Sequence, residues 1–408
     1  MMNHVAMLVP TIDRLGGAER QVLLLAFGLK RRGWRVTVIA LSGSGGDAGV
    51  DLAEAGIGFL SLEMRKGLAD PLGWLRLHQW IRTRQPDVLH GHLPHAAWMA
   101  RWSRVLAPAR VVLDTVHTSA CGTLGRRIGY RCSNWLADVV TAVSPGAAGA
   151  YANAGMVTGD RLVVIPNGVD IGRWKPAASE ERAALRAQLR VGDEFHWLAA
   201  GRMEAVKNFS CLLDAMARLS YPARLVIAGT GPMEAALRAR CLELGLAARV
   251  SFPGFERNLL RWMQAADAFV LPSLREGLPL VLLEAGACAL PAVATDVPGC
   301  RDVVVDGTTG LLARSASPAS LAKIMDTMMG LGPEARAAMG RYARLHVEAE
   351  FDLHAIVDRW DGFYQQVLED RRSATRRGRT MHNELVAGSI ASRAQNCPPH
   401  CKPRVDSL

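Results

Sequence analysis

The feature that most restricts the fold of this chain is a pattern it uses twice. Each half opens with a short apolar run, passes through a glycine-containing loop and continues as a helical pattern: VAMLVPTIDRLGGAER begins at Val5, and WLAAGRMEAVKNF begins at Trp197. Short β-rich runs alternating with longer helical stretches are the sequence form of parallel strands covered by helices on both faces. In the first half, strands are expected at residues 5–10, 36–41, 88–90, 111–116 and 139–143, with a helix at 21–30. In the second, strands are expected at 196–200, 224–228, 250–252, 268–271 and 291–295, with a helix from about Phe209. The expected class is therefore α/β, with two Rossmann-like doubly wound domains facing one another across a cleft.

Between the halves the pattern breaks at IPNGVD, where Pro166, Asn167 and Gly168 supply turn chemistry that neither a helix nor a strand interior accepts. The linker and hinge are placed there, dividing a first domain at 1–168 from a second at 169–350. A helical pattern runs from Pro333 to Leu368, and its last part, 351–370, is expected to pack back on the first domain. Residues 371–408 have no apolar period and are expected to be disordered. A chain of 408 residues exceeds what one hydrophobic core serves, which agrees with this division.

The net charge of +10 favours anionic partners such as nucleotide phosphates or lipid head groups. Much of it is Arg scattered through helical stretches and the tail, including Arg371, Arg372, Arg376, Arg377 and Arg379, so no nucleic-acid site is expected. The eight cysteines form no CxxC pair and no secretory signal precedes the first strand, so they are read as reduced thiols in a cytoplasmic protein. Cys397, His400 and Cys401 are too few ligands for a zinc site. His90, His92 and His95 lie at i, i+2 and i+5 across a strand end and a proline, without the carboxylate or Cys support of a metal centre. They are assigned to acceptor-side contacts or local structure. No apolar run reaches the roughly 20 residues of a membrane-spanning helix, while peripheral contact at the inner face of the membrane stays open.

The most informative stretch is SLREGLPLVLLEAGACALPAVATDVPG, in which Glu276 and Glu284 are separated by seven residues. Glu276 falls in a loop marked by Gly277 and Pro279, and Glu284 falls inside the apolar helix that follows. An unpaired carboxylate there would be costly without hydrogen-bonding partners, and a ribose diol would supply them. The opening turn of that helix has free N–H groups suited to phosphate oxygens.

This stretch resembles the E-x7-E element of the family 4 retaining glycosyltransferases, which have the GT-B fold. GGAER at 16–20, IPNGVD at 165–170, GRMEAVKN at 201–208, IAGTGP at 227–232 and ATDVPG at 294–299 resemble the same family in order and spacing. The resemblance implies that Arg202 and Lys207 hold the donor diphosphate and replace a metal ion. It further implies that Glu276 binds hydroxyls of the donor sugar and Glu284 the ribose, with the backbone of Gly277, Leu278, Pro279 and Leu280 approaching sugar and phosphate. Gly16 and Gly17 are expected to do so from the opposite wall, and His117 is expected beside the reacting sugar. The implied activity is retaining transfer from a nucleotide-diphosphate sugar, most commonly UDP-linked, to a glycan or lipid-linked acceptor, without cofactor or metal. Acceptor contacts are expected from residues 62–80 and 119–135. Two rival classes share the donor cleft: a GT-B sugar-nucleotide epimerase and a non-catalytic sugar-nucleotide-binding subunit. A Rossmann dehydrogenase is disfavoured because neither half carries GxGxxG after its first strand.

Overall fold

The computed structural model of the chain describes residues 2–377, apart from 14, 66–69, 108, 159, 160 and 315. Among the described residues, thirteen strands form two parallel sheets. The first contains β1 (His4–Val9), β2 (Arg35–Ala40), β3 (Gly58–Ser61), β4 (Val88–His92), β5 (Val111–Val116), β6 (Val139–Ala142) and β7 (Leu162–Val164) in the order β3-β2-β1-β4-β5-β6-β7. The second contains β8 (Phe195–Ala200), β9 (Ala223–Ala228), β10 (Val250–Gly254), β11 (Ala268–Leu271), β12 (Ala292–Thr295) and β13 (Gly310–Ala313) in the order β10-β9-β8-β11-β12-β13.

In both sheets the strand order reverses beside the first strand, between β1 and β4 and between β8 and β11. A reversal sends the crossovers on its two sides to opposite faces, which leaves a crevice outside the carboxyl ends of those strands. The GGAER loop follows β1, GRMEAVKN follows β8, and the loop carrying Glu276 follows β11. The motif loops thus converge because of topology.

The central strands are buried on both faces, as parallel sheets require. Val5, Met7 and Val9 of β1 join one apolar cluster, and Ala6 and Leu8 join another on the opposite face. In β5 an acid stands within this apolar setting. Asp114 is fully buried and paired with the equally buried Arg101 at 2.8 Å. The Tyr130 hydroxyl also donates to Asp114, while Arg101 bonds to the carbonyl of Tyr130 and to Ser133 and Asn134. Hydrogen bonds on both partners offset the desolvation of the two charges.

After helix Pro333–Phe351 the chain crosses back to the first domain. Val169 N–H donates to Phe351 C=O at 2.8 Å and Leu353 N–H to Val169 C=O at 3.0 Å, which pins the crossover to the inter-domain segment. Gln21 faces both backbone groups of Gly168 at 3.0 Å, fixing the other side of that segment to helix Gly17–Arg31. The last helix, Leu353–Arg377, buries Ile356, Val357, Trp360, Tyr364 and Val367 in the core of the first domain. This helix continues past Asp370, where the apolar period stops, to Arg377. Arg371 pairs there with Asp138 at the start of β6, so an ion pair extends the helix where apolar burial no longer does. Cys397, His400, Cys401 and Arg379 lie outside the described residues, as do 66–69 of the first acceptor-side segment.

Candidate active site

Four expected site residues take part in three ion pairs around the cleft. Lys207 and Glu276 meet at 2.6 Å, both largely buried. Lys207 ends a short 3-10 turn, Ala205–Lys207, just after β8, and Glu276 lies in the loop after β11. Adjacent strands therefore deliver opposite charges to one place. Close backbone packing shapes the floor. Gly229 has φ +139°, and a Cβ there would lie 2.0 Å from the Gly201 carbonyl oxygen. Only glycine lets the loops after β8 and β9 pack this tightly.

Glu284 is deeply buried in helix Leu280–Ala287, and its partner is Arg20 of the first domain, at 2.7 Å. The expectation that the helix carboxylate needs a partner holds, but a protein side chain across the cleft already provides one. Burial pushes the Glu284 carboxyl up to about 7, with Arg20 and Arg173 pulling the other way. Arg20 and Arg173 each lie 5.7 Å from the centre of the Trp174 ring, close enough for a cation–π contact.

Arg202 is not brought into direct contact with Lys207, Glu276 or Glu284. It is well exposed and pairs with Glu204 at 3.0 Å. Its charge is felt across the cleft by Glu19, whose carboxyl is pushed up by burial and held back by backbone N–H groups at Gly16 and Glu19 and by Arg202. Gly16 caps helix Gly17–Arg31, and Gly17 lies within van der Waals reach of Leu280: a Cβ on it would stand 3.6 Å from the Leu280 side chain. Gly16, Gly17 and Leu280 thus face one another across the crevice, with Arg202 on its rim. Leu278 and Pro279 are buried behind them.

The loop at Glu276 and Gly277 is also gripped by the first domain. Ser119 Oγ donates to Glu276 C=O at 2.8 Å, and Ser144 Oγ donates to Gly277 C=O at 2.7 Å. A Cβ on Gly277 would sit 2.1 Å from the His117 carbonyl oxygen, so this contact accepts no side chain. The His117 backbone therefore lies directly against the loop that carries Glu276.

Its side chain belongs to a histidine cluster. His117 Nε2 and His92 Nδ1 are 3.1 Å apart, and the His92 ring lies against His90 with centroids 3.8 Å apart and the planes tilted by 40°. His90 is held by Tyr364 Oη at 2.6 Å and Thr115 Oγ1 at 2.7 Å. Burial lowers the pKa of His117 to about 4 and sends His90 and His92 well below the usual histidine range, so all three rings are neutral at physiological pH. His117 Nδ1 and His92 Nε2 are buried without a partner. His95 is exposed on helix Pro94–Leu106 and takes no part. Among the described residues, no group of three or more His, Cys, Asp or Glu side chains is placed to hold a metal ion.

Arg20, Glu19 and Ser144 were not singled out as site residues by sequence, while His92 and Ser119 were expected only as acceptor-side contacts or local structure. Arg20 and Glu19 stand in the GGAER motif itself, where an acid–base pair after two glycines was the available signal. Ser144 had none, and the contacts of Ser119 with Glu276 and of His92 with His117 join segments that no local spacing relates.

Comparison with known proteins agrees with this architecture. The family described as Glycosyltransferase Family 4 matches residues 15–173, and the one described as Glycosyl transferases group 1 matches 181–346. A D-inositol 3-phosphate glycosyltransferase of Xylanimonas cellulosilytica is 30% identical over 368 residues, 82% of this chain and 88% of its own length. With another such enzyme, from Streptomyces scabiei, the alignment spans 64% of each chain at 30% identity. A GDP-mannose-dependent monoacylated alpha-(1-6)-phosphatidylinositol monomannoside mannosyltransferase of Corynebacterium glutamicum is 29% identical over 70% of this chain and 78% of its own. Among solved structures, Anabaena HepE in complex with UDP and glucose superposes with a TM-score of 0.78 at 22% identity, covering 89% of this chain and all of that one.

Proposed function

Because this chain belongs to glycosyltransferase family 4, we propose that it transfers a sugar, with retention and without a metal ion, from a UDP-linked donor to a glycan or lipid-linked acceptor. The observation that carries this reading is the pairing of Lys207 with Glu276 in a crevice that Arg20, bound to Glu284, and His117 close from the first domain. The HepE structure supports a UDP-linked donor, and the name of the Corynebacterium relative makes a GDP-linked sugar the donor to test against it.

Chemically, the ammonium of Lys207 has three N–H donors. One is committed to Glu276, which leaves two for diphosphate oxygens. Arg202, on the rim, is free to swing toward the same anion. As the bond from the sugar carbon to the diphosphate breaks, negative charge accumulates on the departing oxygen, and fixed cations stabilise that state more than the bound donor. The acceptor oxygen bonds to the same face of that carbon, and its proton passes to the departing diphosphate. Glu276 positions Lys207 and accepts from sugar hydroxyls. Glu284 keeps one carboxylate oxygen for the ribose diol while the other holds Arg20. Neutral His117 has an unpartnered ring nitrogen for a sugar hydroxyl.

A thermal-shift panel of nucleoside diphosphates and their sugars, with and without chelator, tests this reading. A ligand at one hundred times its dissociation constant adds about 2.7 kcal/mol to native stability. UDP and one UDP-sugar should raise the melting temperature equally well in chelator. A shift with GDP alone would replace the donor, a shift only with added divalent cation would remove the metal-free mechanism, and no shift with any nucleotide would remove the transferase reading.

A further inference from the structure

We propose that the outer face of helices Pro94–Leu106 and Leu124–Cys132 docks on the surface of an anionic lipid bilayer. The proposal deepens the transferase reading by naming where a lipid-borne acceptor would be met, but its own test does not depend on activity.

The face joins exposed aromatic and apolar side chains to unpaired cations. Trp98 and Trp102 are a helical turn apart, 46% and 37% exposed, with their rings edge to face at 6.5 Å. Trp98 Nε1–H reaches the Gly129 carbonyl at 3.4 Å, which joins the two helices into one surface. On the second helix Leu124 and Ile128 repeat the one-turn spacing at 71% and 54% exposure. Arg127 and Arg131, also a turn apart, are exposed and have no acidic partner among the described residues. Isolated exposed apolar residues are ordinary, whereas a contiguous patch rimmed by cations marks an interaction surface.

The charge pattern selects the partner. Residues 71–137 contain nine Arg, no Lys, no Glu and two Asp. Neither Asp offsets the patch. Asp114 is buried with Arg101, and Asp87 is bonded to Arg110 and to the His4 backbone. Asp138, just beyond, is buried with Arg104 and Arg371. A face that is aromatic, apolar and free of acids matches the bilayer interface, where Trp rings sit at head-group depth and Arg side chains meet lipid phosphates. Among the described residues no helix is long and apolar enough to cross a membrane, so the contact would be peripheral.

The placement suits the cleft. Each helix follows a strand of a parallel sheet, so both begin at the carboxyl edge where the crevice opens. The loop from β5 to Leu124 includes Ser119, which holds the carbonyl of Glu276. A head group at Leu124 and Trp98 would thus lie beside the rim of the crevice.

Co-sedimentation of the full chain with vesicles tests the proposal, comparing equimolar phosphatidylglycerol and phosphatidylcholine with phosphatidylcholine alone. Binding should require the anionic lipid and weaken as salt rises. Arg127→Glu with Arg131→Glu should lower partitioning about tenfold or more. Leu124→Ser with Ile128→Ser should lower it comparably, and thermal shifts with nucleotide should stay unchanged in both. No binding to anionic vesicles at low salt would overturn the proposal. So would binding that survives both double variants, which would assign the attraction to another part of the chain such as 371–379. Concentration-dependent dimerisation abolished by these variants, with vesicle binding intact, would assign the face to a second copy instead.

Discussion

Arg20 of the first domain and Glu284 of the second, 264 positions apart, meet at 2.7 Å across the cleft. The pair spans the two domains at the residue expected to hold the donor ribose. It is also the cationic contact that offsets burial of the Glu284 carboxyl, which still titrates at about 7. Arg20 therefore sets the charge with which Glu284 meets a ligand.

Replacing Arg20 with Gln should raise the Glu284 pKa further, because the largest opposing influence is removed while burial stays. Donor kcat/KM should fall at pH 7 and recover toward pH 9, as the carboxyl regains its charge. A pH–rate profile displaced to higher pH checks this. An unshifted profile would separate Arg20 from the ionisation of Glu284.

Glu284 also links stability to pH. Below about 4.5 the carboxyl is protonated in both the folded and unfolded chain. Between 4.5 and about 7 the unfolded chain loses this proton and the folded chain keeps it, so rising pH favours unfolding. A difference of this size corresponds to about 3 kcal/mol once pH exceeds the folded value. Glu284→Gln removes the titration. Its melting temperature relative to the parent should therefore improve from pH 5 to pH 8, as differential scanning calorimetry would show, while its donor affinity falls.

Lys207 and Arg202 should separate stability from catalysis. Lys207→Met leaves the largely buried Glu276 unpaired and should cost about 2–3 kcal/mol of stability together with about 10²–10³ in kcat. Arg202 is exposed and its pair with Glu204 contributes at most about 1 kcal/mol. Arg202→Met should thus keep the melting temperature while lowering kcat/KM. Denaturant titration and steady-state kinetics on the two variants check the contrast.

Gly277→Ala should act through geometry. Its new Cβ would stand 2.1 Å from the His117 carbonyl oxygen, so the loop must retreat from the first domain. A displacement of about 1 Å is enough to lower kcat roughly 100-fold. Nucleoside diphosphate affinity, assigned by the proposal to Lys207 and Arg202, should change only a few-fold, and calorimetric titration alongside kinetics would show the split.

Much of this architecture could be read before any coordinates. The strands at 111–116 and 268–271 have the expected bounds, because each short apolar-rich run is closed by a polar residue or a proline: Arg110 and His117, Asp267 and Pro272. β3, β7 and β13 were missed. They are short strands of three or four residues, GFLS, LVV and GLLA, held by pairing with a neighbour more than by their own pattern. Site legibility divides the same way. Glu276 was visible because it precedes Gly277 in the loop after a strand, and Lys207 because it stands in the GRMEAVKN motif that follows β8. The Arg20–Glu284 pair, the His92–His117 contact and the Ser119 and Ser144 grips join segments far apart in the chain, and no local spacing encodes them. The helix beyond Asp370 was hidden for a related reason: its partner, Asp138, lies more than two hundred positions earlier in the chain.

The most direct test is a structure of the full chain with a bound nucleoside diphosphate, read as the distance from the phosphate oxygens to Lys207 Nζ and the Arg202 guanidinium. The account predicts charge-assisted contacts of about 2.8 Å from both cations, with the ribose hydroxyls on Glu284. A diphosphate seated elsewhere, or held in this crevice with neither cation in hydrogen-bonding range, would contradict it.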